Sequence, residues 1–303
     1  MPRQAVDTKR VEFTAVAWNL FHGRDFPPDP ALFTWRSRLL RVTERNATHV
    51  QVNRDLLDEF AGLLAAAEWD IALLQECPPR FAPPLARACG AEAHMALTSR
   101  NSFGRLRAAA ARLNPDLIAS GEGGSNLTLI RPADASRCNA LTPYKGGNAL
   151  HLGGIVERRE LAIHSGRPER RSMAFTRTAS GLCVANLHAT NDNPEMAAED
   201  VLLAARTASG WAGDVPLLFG GDLNLRPAES PTLFAELRER VGLDTPTTAP
   251  RAIDHLLGRG LETIEPPAQW PPERREVKHG ELALRLSDHA PVEARFGAPD
   301  LQE

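Results

Sequence analysis

The hydrophobic positions of this chain gather into short apolar runs, at residues 13–18, 71–74, 126–130, 181–187 and 215–219. Runs this short, bounded by polar and turn-forming residues, predict buried strands. Between the first two, Leu56, Leu57, Phe60, Leu63 and Leu64 recur at helical spacing. Asn53 stands where an N-cap belongs and the pattern ends near Glu68, which predicts strand, helix, strand. A second such unit places an Ala- and Leu-rich helix from Pro194 to about Ser209 between the runs ending at Leu187 and Phe219. Two α/β halves with a possible internal echo follow.

Pro- and Gly-rich stretches at 26–30, 78–84, 121–124 and 266–272 read as loops, and none reads as an interdomain linker. No short tandem repeat or low-complexity tract is present. One domain spanning 1–303 is the expectation. Two segments exceed what a connecting turn needs: 21–52, with Trp35, Arg36, Arg38 and Arg41, and 95–125, with Arg100, Arg105, Arg107 and Arg112. Such excursions are either functional or surface helices packed on the main body.

Composition narrows the class. With 303 residues, 43% apolar and 24% charged, the chain can bury a sizeable core, and disorder is excluded as the default. The opening MPRQAVDTKRVEF lacks the apolar run of a secretory signal, and no later stretch is apolar enough for a membrane span. Cys77, Cys89, Cys138 and Cys183 stand singly, without zinc-site spacing, so reduced thiols in a cytoplasmic protein are expected. A net charge of -3 lacks the footprint of a protein that grips long nucleic acid nonspecifically, although nucleic acid and small phosphate esters stay open as substrates. No partner protein is indicated. Residues 158–177 are locally basic, with Arg158, Arg159, Arg167, Arg170, Arg171 and Arg177 against Glu160 and Glu169, which reads as a solvated basic face or a substrate-facing one.

Candidate chemistry lies at the ends of the apolar runs. Asn19 follows AVAW, Glu76 follows IALLQ, His188 follows VANL, and Asp222 with Asn224 follows LLFGG. Asp254 and His255 sit in AIDHLL, and Asp288 with His289 in LSDHAPV. Singly, each has a structural explanation as a turn, cap or satisfied histidine. Together, carboxylates, imidazoles and amides at successive strand ends match what metal-assisted phosphate hydrolysis requires. Hard oxygen ligands suit Mg²⁺ or Mn²⁺, and imidazole–carboxylate pairs supply proton transfer. Zinc fits less well, since neither HExxH nor a cysteine pair is present.

The blocks WNLFHG, LLQE, NLHAT, GGDLN, IDHLL and SDHAPV, in that order over residues 18–291, resemble the signatures of the endonuclease/exonuclease/phosphatase superfamily. GGDLN and SDHAPV are the more specific of them. The resemblance implies an α+β, DNase I-like fold: a four-layer sandwich of two packed, mostly antiparallel sheets flanked by helices, with the active site at one rim. It implies Glu76 as the main metal carboxylate, Asn19 beside metal and substrate, and Asp288 as a further ligand. Asp222 and Asn224 would position the attacking water or the phosphate, and Asp254 would fix the tautomer of His289. His188 would touch the opposite side of the phosphate, and Arg171 occupies a place where some branches aim an arginine at it. Whether Asp222 or His289 is the general base stays open.

Histidine in NLHAT, where the abasic-site endonucleases carry a tyrosine-containing segment, resembles the branches of secreted DNases, sphingomyelinases, inositol-polyphosphate phosphatases and deadenylases; Tyr144 is the only tyrosine. The leading expectation is a Mg²⁺- or Mn²⁺-dependent phosphodiesterase or phosphatase acting on a small or flexible ester. A DNA or RNA nuclease and a noncatalytic module of the same fold are the alternatives.

Overall fold

A computed structural model describes residues 10–98, 102–132, 152–163 and 171–299. Arg100, Cys138, Tyr144, Arg167 and Arg170 lie outside the described residues. Along the chain run β1 (Arg10–Asn19), α1 (Trp35–Leu40), β2 (Glu44–Arg45), β3 (Val50–Gln51), α2 (Leu57–Ala66), β4 (Ile71–Gln75), α3 (Ala82–Cys89), β5 (Glu92–Leu97), α4 (Gly104–Leu113), α5 (Pro115–Glu122) and β6 (Ser125–Ile130). There follow β7 (Ile155–Ala162), β8 (Ser172–Thr178), β9 (Cys183–His188), α6 (Pro194–Ala212), β10 (Leu217–Asp222), α7 (Pro231–Glu236), β11 (Asp254–Arg259), β12 (Glu262–Gln269), β13 (Glu276–His279), β14 (Leu282–Arg285) and β15 (Val292–Pro299).

One sheet has the order β12-β15-β1-β4-β6-β5, the other β11-β10-β9-β8-β7. The internal echo is visible in the pairing. Each sheet holds one parallel pair, β1 with β4 and β9 with β10, each bridged by a helix (α2 or α6), and its other pairings are antiparallel.

Period-2 alternation decides which side chains meet between the sheets. Phe13, Ala15 and Ala17 of β1, Ile71 and Leu73 of β4, Val184 of β9, Leu218 of β10 and Leu256 of β11 share the inter-sheet core. The opposite parity, Val16, Trp18, Ala72 and Leu74, packs under α2 and α3. Cys183, Ala185, Leu187, Leu217 and Phe219 pack under α6. The result is helix, sheet, sheet, helix. Burying Trp18 or Phe219 completely contributes roughly 1.5–3 kcal/mol each.

Several expectations shift. Asn53 does not cap α2, whose first N–H groups are served by Asp55 instead (Oδ1 accepts from the Leu57 amide at 3.1 Å). Its side chain joins the two excursions, donating to Ser37 O at 3.0 Å, Arg38 O at 2.9 Å and Asn114 Oδ1 at 2.7 Å. The prolines of 266–272 fall partly in an edge strand, β12, where register shifts after Thr263 and Glu265 accommodate residues that cannot donate to a ladder. Residues 78–84 run into α3, with proline in its first turn, where no N–H is needed. The helix after Pro194 extends to Ala212 and is capped by Asn193, whose Oδ1 accepts from the Met196 amide. Among the described residues no helix is long and apolar enough to cross a membrane.

Candidate active site

The parity that fills the core continues to the rim and changes from apolar to polar there. Asn19 follows Ala17 on the inward face of β1, and Gln75 follows Leu73 on β4. Asn186 and His188 follow Val184 on β9, while Asp222 ends β10 opposite Asp254 at the start of β11. Gln75 Nε2 donates to Asn186 Oδ1 at 2.7 Å, and Asn186 Nδ2 donates to Leu127 O at 3.1 Å, so the two sheets are cross-bonded beneath the site. The paired glycines before Asp222 allow this close approach. A Cβ on Gly221, whose φ is +126°, would sit 2.9 Å from Gln75 Nε2 of the facing sheet and 2.1 Å from Leu187 O of its own, and one on Gly220 would sit 3.2 Å from Leu73 Cδ1 of the facing sheet.

Asn19 joins the sheets directly: Nδ2 donates to Asp222 Oδ2 at 2.9 Å, and Oδ1 accepts from the Phe21 amide at 2.9 Å. Asp222 Oδ1 accepts from the Asn224 amide at 3.0 Å. The Asn224 side chain is tied to Ala189 O at 3.1 Å. His289 is delivered by the loop before β15, where Ser287 Oγ donates to Asn19 O at 2.6 Å and accepts from the His289 amide at 3.0 Å. Trp18 Nε1 and Arg275 both donate to His289 O.

His289 Nδ1 lies 2.8 Å from Asp254 Oδ2, leaving Nε2 facing Asp222 Oδ2 at 3.9 Å and Asp288 Oδ1 at 4.0 Å. An ionised carboxylate only accepts, so Nδ1 carries a proton. Burial opposes the imidazolium, but Asp254, then Asp222 and Asp288, push the His289 pKa up to about 10. Asp222 is also pushed well up, first by burial and then by the charge of Asp254. His188 differs: burial holds it down to about 3, so it is neutral. Arg171 NH1 lies 3.5 Å from His188 Nδ1 and can only donate, which puts the imidazole proton on Nε2. That N–H points between Asp222 Oδ2 (3.5 Å) and Glu76 Oε1 (3.9 Å). Arg171 thus meets the site through His188 and Asn191.

Two residues are additional to those singled out in the sequence. His22 Nε2 lies 3.1 Å from Glu76 Oε2, and both residues adopt left-handed backbone, φ +54° and +46°. Strained non-glycine backbone of this kind often marks a functional site. Arg24 is nearly buried, its guanidinium 3.8 Å over the Phe21 ring and its charge felt by Asp116, Glu76 and Asp288. Both stand in WNLFHG or directly after it, which was the available signal. His255, by contrast, points away from the cleft onto Leu225 O and Ala252 O. Of the described arginines in the basic run 158–177, Arg171 reaches the site, whereas Arg158 pairs with Glu92, and Arg159 and Arg177 pair with Glu157.

The donor set fits a hard divalent cation. Burial pushes Glu76 up, yet His22, His188 and the Asn19 amide together hold it below the usual carboxylate range, so it is ionised. Asp288 is raised by burial and, less, by the negative charge of Glu76, so a cation placed near both would favour their ionised forms. The ligand atoms of Asp222, Asp254 and His289 also lie within 4.8 Å of one another. Of these three, Asp254 Oδ2 and His289 Nδ1 are bonded to each other, while Asp254 Oδ1 is buried without a partner among the described residues.

Two packed sheets of mixed pairing, helices on both outer faces and a polar cleft at the rim define a DNase I-like sandwich. The Endonuclease/Exonuclease/phosphatase family matches the sequence over residues 16–289, and the chain belongs to that family. Its members include phosphatases, phosphodiesterases and nucleases, hydrolases of phosphate esters that generally use divalent metals. Solved structures share the fold at low identity. A family protein from Bacteroides thetaiotaomicron is 13% identical with a TM-score of 0.58, the match covering 96% of this chain and 99% of that one. A mannosyl-6-phosphatase from the same species is 13% identical (TM-score 0.56, 93% and 98%), and truncated Caenorhabditis elegans TDP2 is 15% identical (TM-score 0.53, 95% and 98%). No curated protein sequence matches the chain.

Proposed function

We propose that this protein hydrolyses a phosphate ester with Mg²⁺ or Mn²⁺, within one domain whose two excursions form a wall of the cleft. The observation that supports this reading is the convergence of carboxylates and imidazoles at one rim: His289, bonded to Asp254, has Nε2 3.9 Å from Asp222 Oδ2 and 4.0 Å from Asp288 Oδ1, and His188 Nε2 lies between Asp222 Oδ2 (3.5 Å) and Glu76 Oε1 (3.9 Å).

Glu76 and Asp288, with Asn19, would hold the ion, which when bound polarises a phosphoryl oxygen and steadies the leaving group. His289, kept charged by Asp254, can only donate, so it serves as a hydrogen-bond donor to the phosphate. Asp222 is an acceptor, oriented by the Asn19 side chain and the Asn224 amide, and takes the proton of the attacking water. Its raised pKa suits a base working near neutral pH. His188 directs a neutral Nε2–H at the phosphate from the other side, in a tautomer set by Arg171. Every position that a noncatalytic relative would be free to lose still carries a competent side chain.

A panel of plasmid DNA, single-stranded RNA, nucleotides, inositol phosphates, phosphodiester lipids and aryl phosphates, each with and without EDTA, tests the reading. Turnover that needs Mg²⁺ or Mn²⁺ supports it. Hydrolysis that survives EDTA, or no hydrolysis of any ester, refutes it.

A further inference from the structure

Large apolar side chains left in water cluster on the two excursions. Trp35 (65% exposed), Leu39 and Leu40 lie on α1, and Phe103 (79%), Leu106 and Leu113 on or just before α4. Asn114 Nδ2 donates to Arg38 O at 3.0 Å, and Asn53 bonds Ser37 O, Arg38 O and Asn114. These bonds set the Leu39–Leu40 end of α1 against the junction of α4 and α5, beside Leu113. The two helices, WRSRLL and GRLRAAAARL, carry five arginines and no carboxylate, on a chain whose net charge is -3.

This face is also joined to the cleft. Arg38 lies over Phe33 at 5.4 Å, Phe33 meets Phe26 at 6.0 Å, and Phe26 meets Phe21 at 5.8 Å, two residues from Asn19. From the same junction α5 runs eight residues, about 12 Å at 1.5 Å per residue, to the turn whose Gly124 packs on Glu76 and His22.

A polynucleotide would use the arginines but gain little from leucines, which offer no ring to stack on. A second copy in a two-fold contact would set these arginines against their own counterparts. Tryptophan, phenylalanine and leucine among arginines, with no carboxylate, is the composition that enters an anionic lipid–water interface. We propose that this face docks on an anionic phospholipid bilayer. If the phosphoesterase reading above holds, docking presents lipid headgroups to the cleft.

The test is co-sedimentation of the full chain, in EDTA, with vesicles of phosphatidylcholine alone or with phosphatidylglycerol added. Binding should require the anionic lipid and weaken with salt. Trp35→Ser/Leu39→Ser/Leu40→Ser should lower partitioning by about 10²-fold or more, since each apolar side chain withdrawn from the interface costs close to tenfold. Arg36→Gln/Arg105→Gln/Arg112→Gln should erase the preference for anionic lipid. Both variants should melt where the parent does and hydrolyse a soluble aryl phosphate equally well. Absence of vesicle binding, binding unaffected by the serine variant, preferential binding of single-stranded RNA, or a melting point lowered by the serine substitutions would each overturn the proposal. Vesicle binding by a chain that hydrolyses no ester would sustain the docking face and sink the phosphoesterase reading instead.

Discussion

The two sheets repeat one pairing pattern, yet their rims carry different chemistry. β1 and β4 end in Asn19, Gln75 and then Glu76, whose oxygens face His22 and His188. β9 and β10 end in His188 and Asp222, beside Asp254 and His289. On the first rim a carboxylate is held ionised by neighbouring imidazoles, while on the second Asp222 is pushed up by burial and by another carboxylate. Under the function proposed above, the same backbone arrangement would offer a cation site on one side and a proton-handling site on the other. The difference comes from which charges burial brings together.

The sharpest way to break this comparison is Asp222→Asn. The amide keeps the shape but cannot accept the water's proton, and turnover should fall by about 10³-fold or more, with the melting temperature little changed. Single-turnover rates decide it, and a loss under tenfold would move the base elsewhere. Next is Asp254→Asn, which should slow turnover by about 10²-fold because Asn no longer stabilises the His289 imidazolium. An unaltered pH–rate profile would remove the pair from the mechanism. Glu76→Ala, on the other rim, should act mainly on metal affinity, weakening it by about 10–100-fold, with part of the activity recovered at high Mg²⁺. Isothermal titration with Mn²⁺ reads this directly, and affinity unchanged from the parent would disprove the assignment.

Smaller effects probe the scaffold. Gly221→Ala should destabilise by about 1–3 kcal/mol, since the methyl meets Leu187 O and the backbone is left-handed there. Urea denaturation measures it. Asp25, in the excursion wall, is pushed up to about 8 by burial above all; its Oδ2 accepts from the Val52 amide at 2.9 Å, and its Oδ1 is buried without a partner. A folded pKa above the usual carboxylate value means that its stabilising contribution is complete below about pH 4 and is lost as the pH rises through about 8. Asp25→Asn, which resembles the protonated acid, should therefore stabilise the protein above pH 8, on the order of 1–2 kcal/mol, and change little at pH 4. Melting curves at the two pH values check both the sign and the window.

Much of the site was legible because a strand's side chains alternate. Apolar positions 13, 15 and 17 lead by the same period to Asn19, and 71 and 73 lead to Gln75 just before Glu76. The chemical type at the strand ends, together with the ordered motif blocks, was enough to pick out nine candidate residues, though not His22 or Arg24, and the order of apolar runs was enough to predict two strand–helix–strand halves. Helix and strand limits were less legible: Asn53 has the chemistry of a cap, but a tertiary contact with Asn114 took its side chain instead. Pairing across the cleft is not written in any local pattern. That Asn19 bonds Asp222 across 203 positions, that Arg171 reaches the site through His188, and that His22 turns onto Glu76 follow from two sheets packing face to face. Local sequence fixes which side of its own strand a residue occupies, whereas the partner it meets depends on how distant strands are stacked, and that is decided only when the core between them is buried.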